Sequence, residues 1–246
     1  TKDKKNMKKI LFYTLMLCLS SFALTSCNDD NDELTDAKVT YYPILEIQGK
    51  KFVEVPIGTT YTELGCKGTL RGEDCTSSIV TTGSVDTNKP GLYSIVYSYT
   101  NPEGYVTSDT RTVAVCDPTI TTDISGTYKT TADSYVNLIG VRNNFPIANN
   151  TIKITKKASG IFYISDFMGG LWNQTFGNGT SCDMGGYLQL LADNSIVMLS
   201  SYCSAFDNGA NEITNGKYDP ATGKISYEMS YENSYYNHEF FITLQK

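Results

Sequence analysis

The sequence predicts an all-β protein made of two successive units of short strands, the second an up-and-down antiparallel meander. Three observations predict it. Strand-forming residues dominate, with 18 tyrosines in 246 residues and Thr, Val and Ile frequent, while Leu and Ala are sparse past the first segment. Apolar residues recur in short alternating runs between Gly-, Pro-, Asn- and Asp-rich turns, and long 3.6-residue periods are missing. A proline-bearing, hydroxyl-rich stretch at residues 117–123 interrupts the runs and reads as an extended linker. It separates a unit at residues 41–116 from one at residues 124–246.

In the first unit, Lys51 to Val55 alternates and is stopped by Pro56, which cannot donate to a ladder. Ile57 to Gly65 reads as a turn with a short strand, Cys66 to Thr76 as a hairpin around Arg71-Gly72, and Ile79 to Val85 as a strand. Asn88-Lys89-Pro90-Gly91 has turn chemistry. Leu92 to Thr100 then alternates, with Tyr93, Ile95, Tyr97 and Tyr99 on one face. Asn101-Pro102-Glu103-Gly104 turns the chain back, and Tyr105 to Val115 returns. These residues carry a resemblance. Val53 to Gly65, Val85 to Tyr97 and Thr110 to Val115 resemble the bacterial immunoglobulin-like domain of cell-surface proteins. The resemblance implies a small Ig-like β-sandwich acting as a spacer or stalk, with no catalytic residues. Cys66 and Cys75 depart from its pattern.

The second unit offers Gly126 to Thr131, Thr151 to Thr155, Gly160 to Ser165, Tyr187 to Leu191, Ser195 to Ser200, Glu212 to Tyr218, Lys224 to Tyr231 and Glu239 to Leu244 as strands. Asp219 to Gly223 is a hairpin signal with Gly223 at the left-handed position. Such a meander removes its edges most simply by closing into a barrel; an open sandwich is the alternative. Ile124 to Tyr128 and Phe240 to Leu244 resemble, in layout, the lipocalin-like β-barrel domains that follow Ig-like modules in lipoproteins of unknown function.

Residues 1–26 read as a leader. Lys8 and Lys9 are a basic start, with Met7 as the start of the leader and Thr1 to Asn6 upstream of it. The apolar run from Ile10 to Leu24 is shorter than the ~20 residues a membrane span needs. Leu24-Thr25-Ser26-Cys27 resembles the bacterial lipobox, which implies a lipid thioether on Cys27 and a membrane as partner through that anchor. Residues 27–40 form an acidic tether. Asn28 to Glu33 resembles the export signal of Bacteroidetes-type lipoproteins, which implies the outer face of the outer membrane.

The chemistry is sparse. The chain is acidic, with net charge −6, and has no basic patch, so nucleic acid is excluded as a partner. Cys66 with Cys75, and Cys182 with Cys203, are spaced as local disulfides, leaving Cys116 odd; five buried free thiols are the alternative. No Cys-x-x-Cys occurs and His238 is the only histidine, so no metal site and no cofactor is expected. His238 reads as a surface residue of the turn before the last strand. Asp133, Asp166, Asp183, Asp193, Asp207 and Asp219 read as solvated turn residues, and Asp207 to Glu212 lacks the ligand spacing of a calcium loop.

The candidate ligand surface is Trp172, Asn173, Gln174 and Phe176, because a ring beside amides suits a sugar. The competing reading makes Trp172 and Phe176 a plug for the barrel. The function expected is a non-enzymatic surface lipoprotein, a spacer plus a module binding glycan beside a polysaccharide uptake complex. A structural or adhesive protein-binding lipoprotein is the alternative.

Overall fold

Seven strands build the first unit: β1 (Ile44–Ile47), β2 (Phe52–Pro56), β3 (Cys66–Leu70), β4 (Glu73–Asp74), β5 (Val80–Thr82), β6 (Gly91–Thr100) and β7 (Val106–Cys116). They lie in two sheets, ordered β1-β3-β4 and β2-β7-β6-β5, with β2 parallel to β7. The structure, a computed structural model, describes residues 39–210, 212–232 and 237–246. The expected leader, Cys27 and the tether as far as residue 38 lie outside these, as do Asn211, Tyr235 and Tyr236.

Local chemistry sets these elements. Arg71 and Gly72 take left-handed φ of 55° and 88° and turn β3 into β4. On β6, Ile95 and Tyr97 point inward to Ile47 and Cys66, and a second apolar group gathers Val55, Val113 and Val115. Ile57 to Gly65 forms no strand, contrary to expectation. Its Glu63 is instead drawn inward by a buried cation. Arg111 is only 1% exposed. It donates to the Lys50 and Gln48 carbonyls, both at 2.6 Å, and its Nε lies 3.0 Å from Glu63. The Tyr61 and Tyr97 hydroxyls and the Gly65 N–H donate to the same carboxylate. Burial works to raise the Glu63 carboxyl, but these donors and the guanidinium outweigh it and hold it below the usual range.

Ten strands build the second unit: β8 (Gly126–Thr130), β9 (Tyr135–Leu138), β10 (Arg142–Pro146), β11 (Thr151–Ala158), β12 (Ile161–Ile164), β13 (Gly185–Leu190), β14 (Ile196–Tyr202), β15 (Ile213–Asp219), β16 (Lys224–Glu232) and β17 (Asn237–Gln245). Eight were expected; the β9–β10 hairpin is additional. The sheet runs β8-β11-β12-β13-β14 on one side of β17 and β16-β15 on the other. Strand β17 pairs with β16 from Asn237 to Leu244, and along its other edge with β9 and then β8. The expected barrel is not closed. Strands β14 and β15 meet at one bridge, Ser195 to Lys217, with the Tyr218 N–H donating to Asn194 O at 2.9 Å. Strand β15 is irregular there, with Asn215 at φ 53° and its register against β16 shifting between Thr214 and Lys217, and it forms no continuous ladder with β14.

The two units share a seam. Ala114 and Cys116 pack on Ala158 and Ile161, and the Phe52 ring stacks on Tyr187 at 6.3 Å and 14°. The Ser159 N–H donates to Glu54 Oε1 at 3.0 Å, and the Cys116 thiol donates to the same oxygen at 3.3 Å. Burial, and then that hydrogen bond, push Cys116 up to about 11. The 117–123 stretch carries no strand but is pinned. Thr119 and Ser125 bond Asp117 and Asp123, and Ile120 packs on the second unit's core.

Truncating Glu63 leaves Arg111 charged and buried with no counter-charge, only carbonyls and the Tyr97 hydroxyl beside it. Glu63→Ala should destabilise the first unit by about 3 kcal/mol in urea unfolding. Lys51→Ala, which breaks only the exposed Lys51–Asp109 pair at 2.7 Å, should cost about 0.5 kcal/mol or less.

Candidate functional site

The predicted ligand residues lie in the connection between β12 and β13, residues 165–184, which is folded into the roll. Phe167, Met168 and Leu171 are fully buried in the second unit's core. Gly169 and Gly170 take φ of 65° and 78°. A Cβ on Gly169 would sit 2.7 Å from Ile242, and one on Gly170 2.8 Å from Asn150, so the chain passes there only as glycine. Leu171–Thr175 then forms one π-helical turn, with Thr175 N–H bonded to Gly170 O at 3.0 Å.

Asp166 organises this connection. Its Oδ1 accepts from the Met168 and Met184 N–H groups at 2.8 and 2.9 Å, and its Oδ2 from Gly170 N–H at 2.7 Å. It is 2% exposed and not the solvated turn residue expected, because the loop needs an acceptor for three inward N–H groups. Burial pushes it up to about 7 despite those donors. The Tyr227 hydroxyl holds the loop from the far side, donating to Phe167 O at 2.9 Å.

Trp172 is half-buried in an aromatic group. Its ring stacks on His238 at 5.8 Å and 27°, and meets Phe176 at 5.4 Å and Phe206 at 5.6 Å. Its Nε1 is buried without a hydrogen-bond partner, so packing alone fixes the ring. His238 is therefore a buried residue of β17, 3% exposed, and not a surface turn residue. Alternation along β17 puts it on the inward face, and burial lowers its pKa, which keeps it neutral beside the indole. The two amides are engaged within the fold. Asn173 donates to Asp183 at 3.1 Å, and Gln174 bonds both the N–H and the carbonyl of Thr151, at 2.7 and 2.9 Å. Phe176 is 40% exposed and touches Phe145.

The five described cysteines are free thiols, so neither expected bridge is formed. The Cys66 thiol turns to Lys67 O, Cys182 to Asn178 O and Cys203 to Ser181 O. Cys75 packs beneath Gly68. Among the described residues no cluster of metal-ligating side chains occurs.

A second surface was missed by sequence reasoning. On the outer face of β9, β17 and β16, register puts Tyr135, Phe241 and Glu228 side by side. The Tyr135 and Phe241 rings stack at 4.5 Å and 15°. A hollow of about 200 Å³ has Phe241 in its wall, together with Asn215, Ser226, Glu228 and Thr243. Another of about 510 Å³ has Tyr135 in its wall, with Asn144 and Pro146. Asp133 borders both. The signal was present in the alternation of Tyr135 to Leu138 and in the adjacent rings of Phe240 and Phe241, of which only one can face a core.

Comparison with known proteins gives a consistent picture. A C-terminal-domain family model matches residues 117–246, and the bacterial surface protein Ig-like domain matches residues 45–115. Among solved structures, the lipoprotein BT2262 from Bacteroides thetaiotaomicron is 33% identical, with 83% of this chain and 100% of that chain covered, at a TM-score of 0.46. The CBM51-2 in complex with GlcNAc and INT domains from Clostridium perfringens ZmpB is 11% identical over 82% of this chain and 44% of that one, at 0.26. The M60 catalytic domain with CBM51-1 and CBM51-2 from the same protein is 12% identical over 83% and 21%, at 0.27. No curated protein matches the chain.

The raised carboxyl of Asp166 has a measurable sign. Its folded value of about 7 lies above the ordinary 3.8, so the folded protein holds the proton more tightly than the unfolded chain. The stability this confers is complete below about pH 4 and is lost as pH rises through about 7. Asp166→Asn removes the titration. The stability difference between wild type and Asp166→Asn, followed by Trp172 fluorescence, should therefore move against the wild type by a few kcal/mol across that window.

Proposed function

The chain belongs to the family of the Bacteroides lipoprotein BT2262, and from that premise we propose a lipid-anchored cell-surface protein without catalytic activity. Its Ig-like unit holds the second unit away from the membrane, and the second unit binds a glycan. The anchor is Cys27, with the acidic tether carrying the protein to the outer face of the outer membrane. There a polysaccharide uptake complex is the natural neighbour.

The observation that carries this reading is the seam. A spacer serves a binding module best when it fixes its orientation, and Phe52 on Tyr187, with Glu54 bonded to Ser159, ties the two units without a free joint. The groups that acid–base chemistry would use support the non-catalytic part. Asp166 is occupied by three backbone donors, and His238 is stacked and buried. Asp117, Asp193 and Asp219 cap their own turns.

Two measurements test it. The full chain expressed in a Bacteroides cell should fractionate with membranes, carry acyl chains on Cys27 by mass spectrometry, and be trimmed by protease added to whole cells. Cys27→Ser should be released in soluble form, and recovery of unacylated wild type from the cytosol would refute the anchor. For the seam, Cys116 in wild type should resist thiol reagents under native conditions, since it is buried with a pKa near 11. Phe52→Ala should speed its labelling at least about tenfold by opening that packing, while the far-UV spectrum stays unchanged.

A further inference from the structure

The roll of the second unit holds no ligand inside its core-filled end: Phe167, Met168 and Leu171 occupy it, and Trp172 with His238 closes over them. A ligand of this unit must then sit on an outer face. The face of β9, β17 and β16 differs from an ordinary solvated sheet face in two ways. It carries two aromatic rings in contact, and it carries side-chain acceptors with no hydrogen bond among the described residues: those of Asp133, Asn215 and Glu228.

We propose that this face binds a neutral polysaccharide chain, with Tyr135 and Phe241 as stacking walls and Asp133 and Glu228 as hydroxyl acceptors. This names the site and ligand class of the glycan-binding reading given above and rests on it. The apolar C–H face of a pyranose packs on an aromatic ring, and its hydroxyls donate to acceptors at the ring's margin. Each hollow supplies both parts. One joins Phe241 to Glu228 and Asn215, the other joins Tyr135 to Asn144, and Asp133 serves the two together.

The geometry also sets the length of the ligand. The rings are stacked on each other, so a sugar packs only on the outer side of each. Two sugars so placed lie roughly 12 Å apart, the 4.5 Å ring separation plus one van der Waals contact on either side. Such sugars are not neighbours in a chain, so a bridging unit passes over the ring edges. Binding therefore needs at least a trisaccharide, and the open ends of the face admit internal stretches of a polymer. Charge sets the class. Asp133 and Glu228 accept hydroxyl protons but repel carboxylates and sulfates, and no Lys or Arg lines either hollow. Uronate and sulfated polymers are disfavoured.

The test is retardation in polysaccharide-containing native gels, followed by calorimetry with an oligosaccharide length series. The full chain carrying Cys27→Ser is used, to keep it soluble. The probes are neutral α- and β-glucans and mannan, against polygalacturonate and heparin. A neutral polymer should retard the protein, and binding should rise steeply from mono- to trisaccharide. Asp133→Asn changes an exposed carboxylate and Glu228→Gln a half-buried one with no hydrogen bond among the described residues; both keep the fold and should each weaken binding at least about tenfold. Phe241→Ala should do so as well, while Trp172→Ala, where it folds, should bind as wild type. Loss of binding in Trp172→Ala with Glu228→Gln, Asp133→Asn and Phe241→Ala unaffected would overturn this site and leave the glycan reading standing. Preference for polygalacturonate or heparin, or equal binding of monosaccharide and trisaccharide, would overturn the assignment of charge or length. Failure of wild type to bind any of the polymers would end both the site and the reading it rests on.

Discussion

Strand β17 is the constraint on which the second unit depends. It pairs along both edges, with β16 on one side and with β9 and β8 on the other, so it is the seam by which the last strand of the roll meets the first. Its inward residues His238, Phe240, Ile242 and Leu244 are all buried. Burying an apolar side chain of this kind stabilises by about 2 kcal/mol. A slip of one residue would turn all four outward and bury Glu239 and Thr243, so the register is fixed by the core. The outer row inherits that register. Phe241 stands between Tyr135 and Glu228 because Phe240, one position away, has to face inward. A surface arrangement is here the consequence of a core requirement.

The connection from β12 to β13 decides where binding is feasible. In a roll of this strand order the interior is the obvious place for a ligand. Here the chain itself fills that space, and Asp166 makes the filling stable by accepting three N–H groups that would otherwise be buried without partners. The glycine pair at 169 and 170 lets backbone replace side chain against Ile242 and Asn150. Gln174 then anchors the turn to β11 through both groups of Thr151. The amides that look available in the sequence are thus used to hold the plug in place, and the ring beside them is its lid.

The sequence disclosed the elements better than their assembly. The runs Leu92 to Thr100 and Lys224 to Tyr231 form strands because strict alternation is a local signal, and Gly223 forms its turn because only a left-handed residue fits there. Strand β1 was missed, since Ile44 to Ile47 is short and half exposed. The β9–β10 hairpin was missed because Asn144 and an irregular register blur its period. Whether the sheet closes depends on Asn215 and Gly216 bending β15 past β14, a non-local meeting that no window of sequence displays. His238 was misjudged for a related reason: beside Tyr235, Tyr236 and Asn237 it reads as turn, and only pairing with β9 shows which face it takes. The Glu63–Arg111 pair is 48 residues apart in the chain, and nothing local to either marks it. The aromatic pair on the outer face needed strand register to be seen at all.

The seam between the units gives this arrangement its functional sense. On the proposed reading, a face with two stacking walls and a few acceptors supports only modest affinity for one short sugar stretch. Polymers repeat the same stretch, and proteins fixed to a surface present many faces at once, so linked weak contacts can gain factors of about 10²–10⁴. That gain is lost where the geometry of presentation wanders. A joint of the Gly/Ser type would let the second unit tumble, whereas Phe52 on Tyr187 and Glu54 on Ser159 hold its outer face in one direction relative to the Ig-like unit. The buried thiol of Cys116 fits the same logic. It sits where the two units are pressed together, too deprived of water to ionise, and donates its proton to the carboxylate that crosses the boundary.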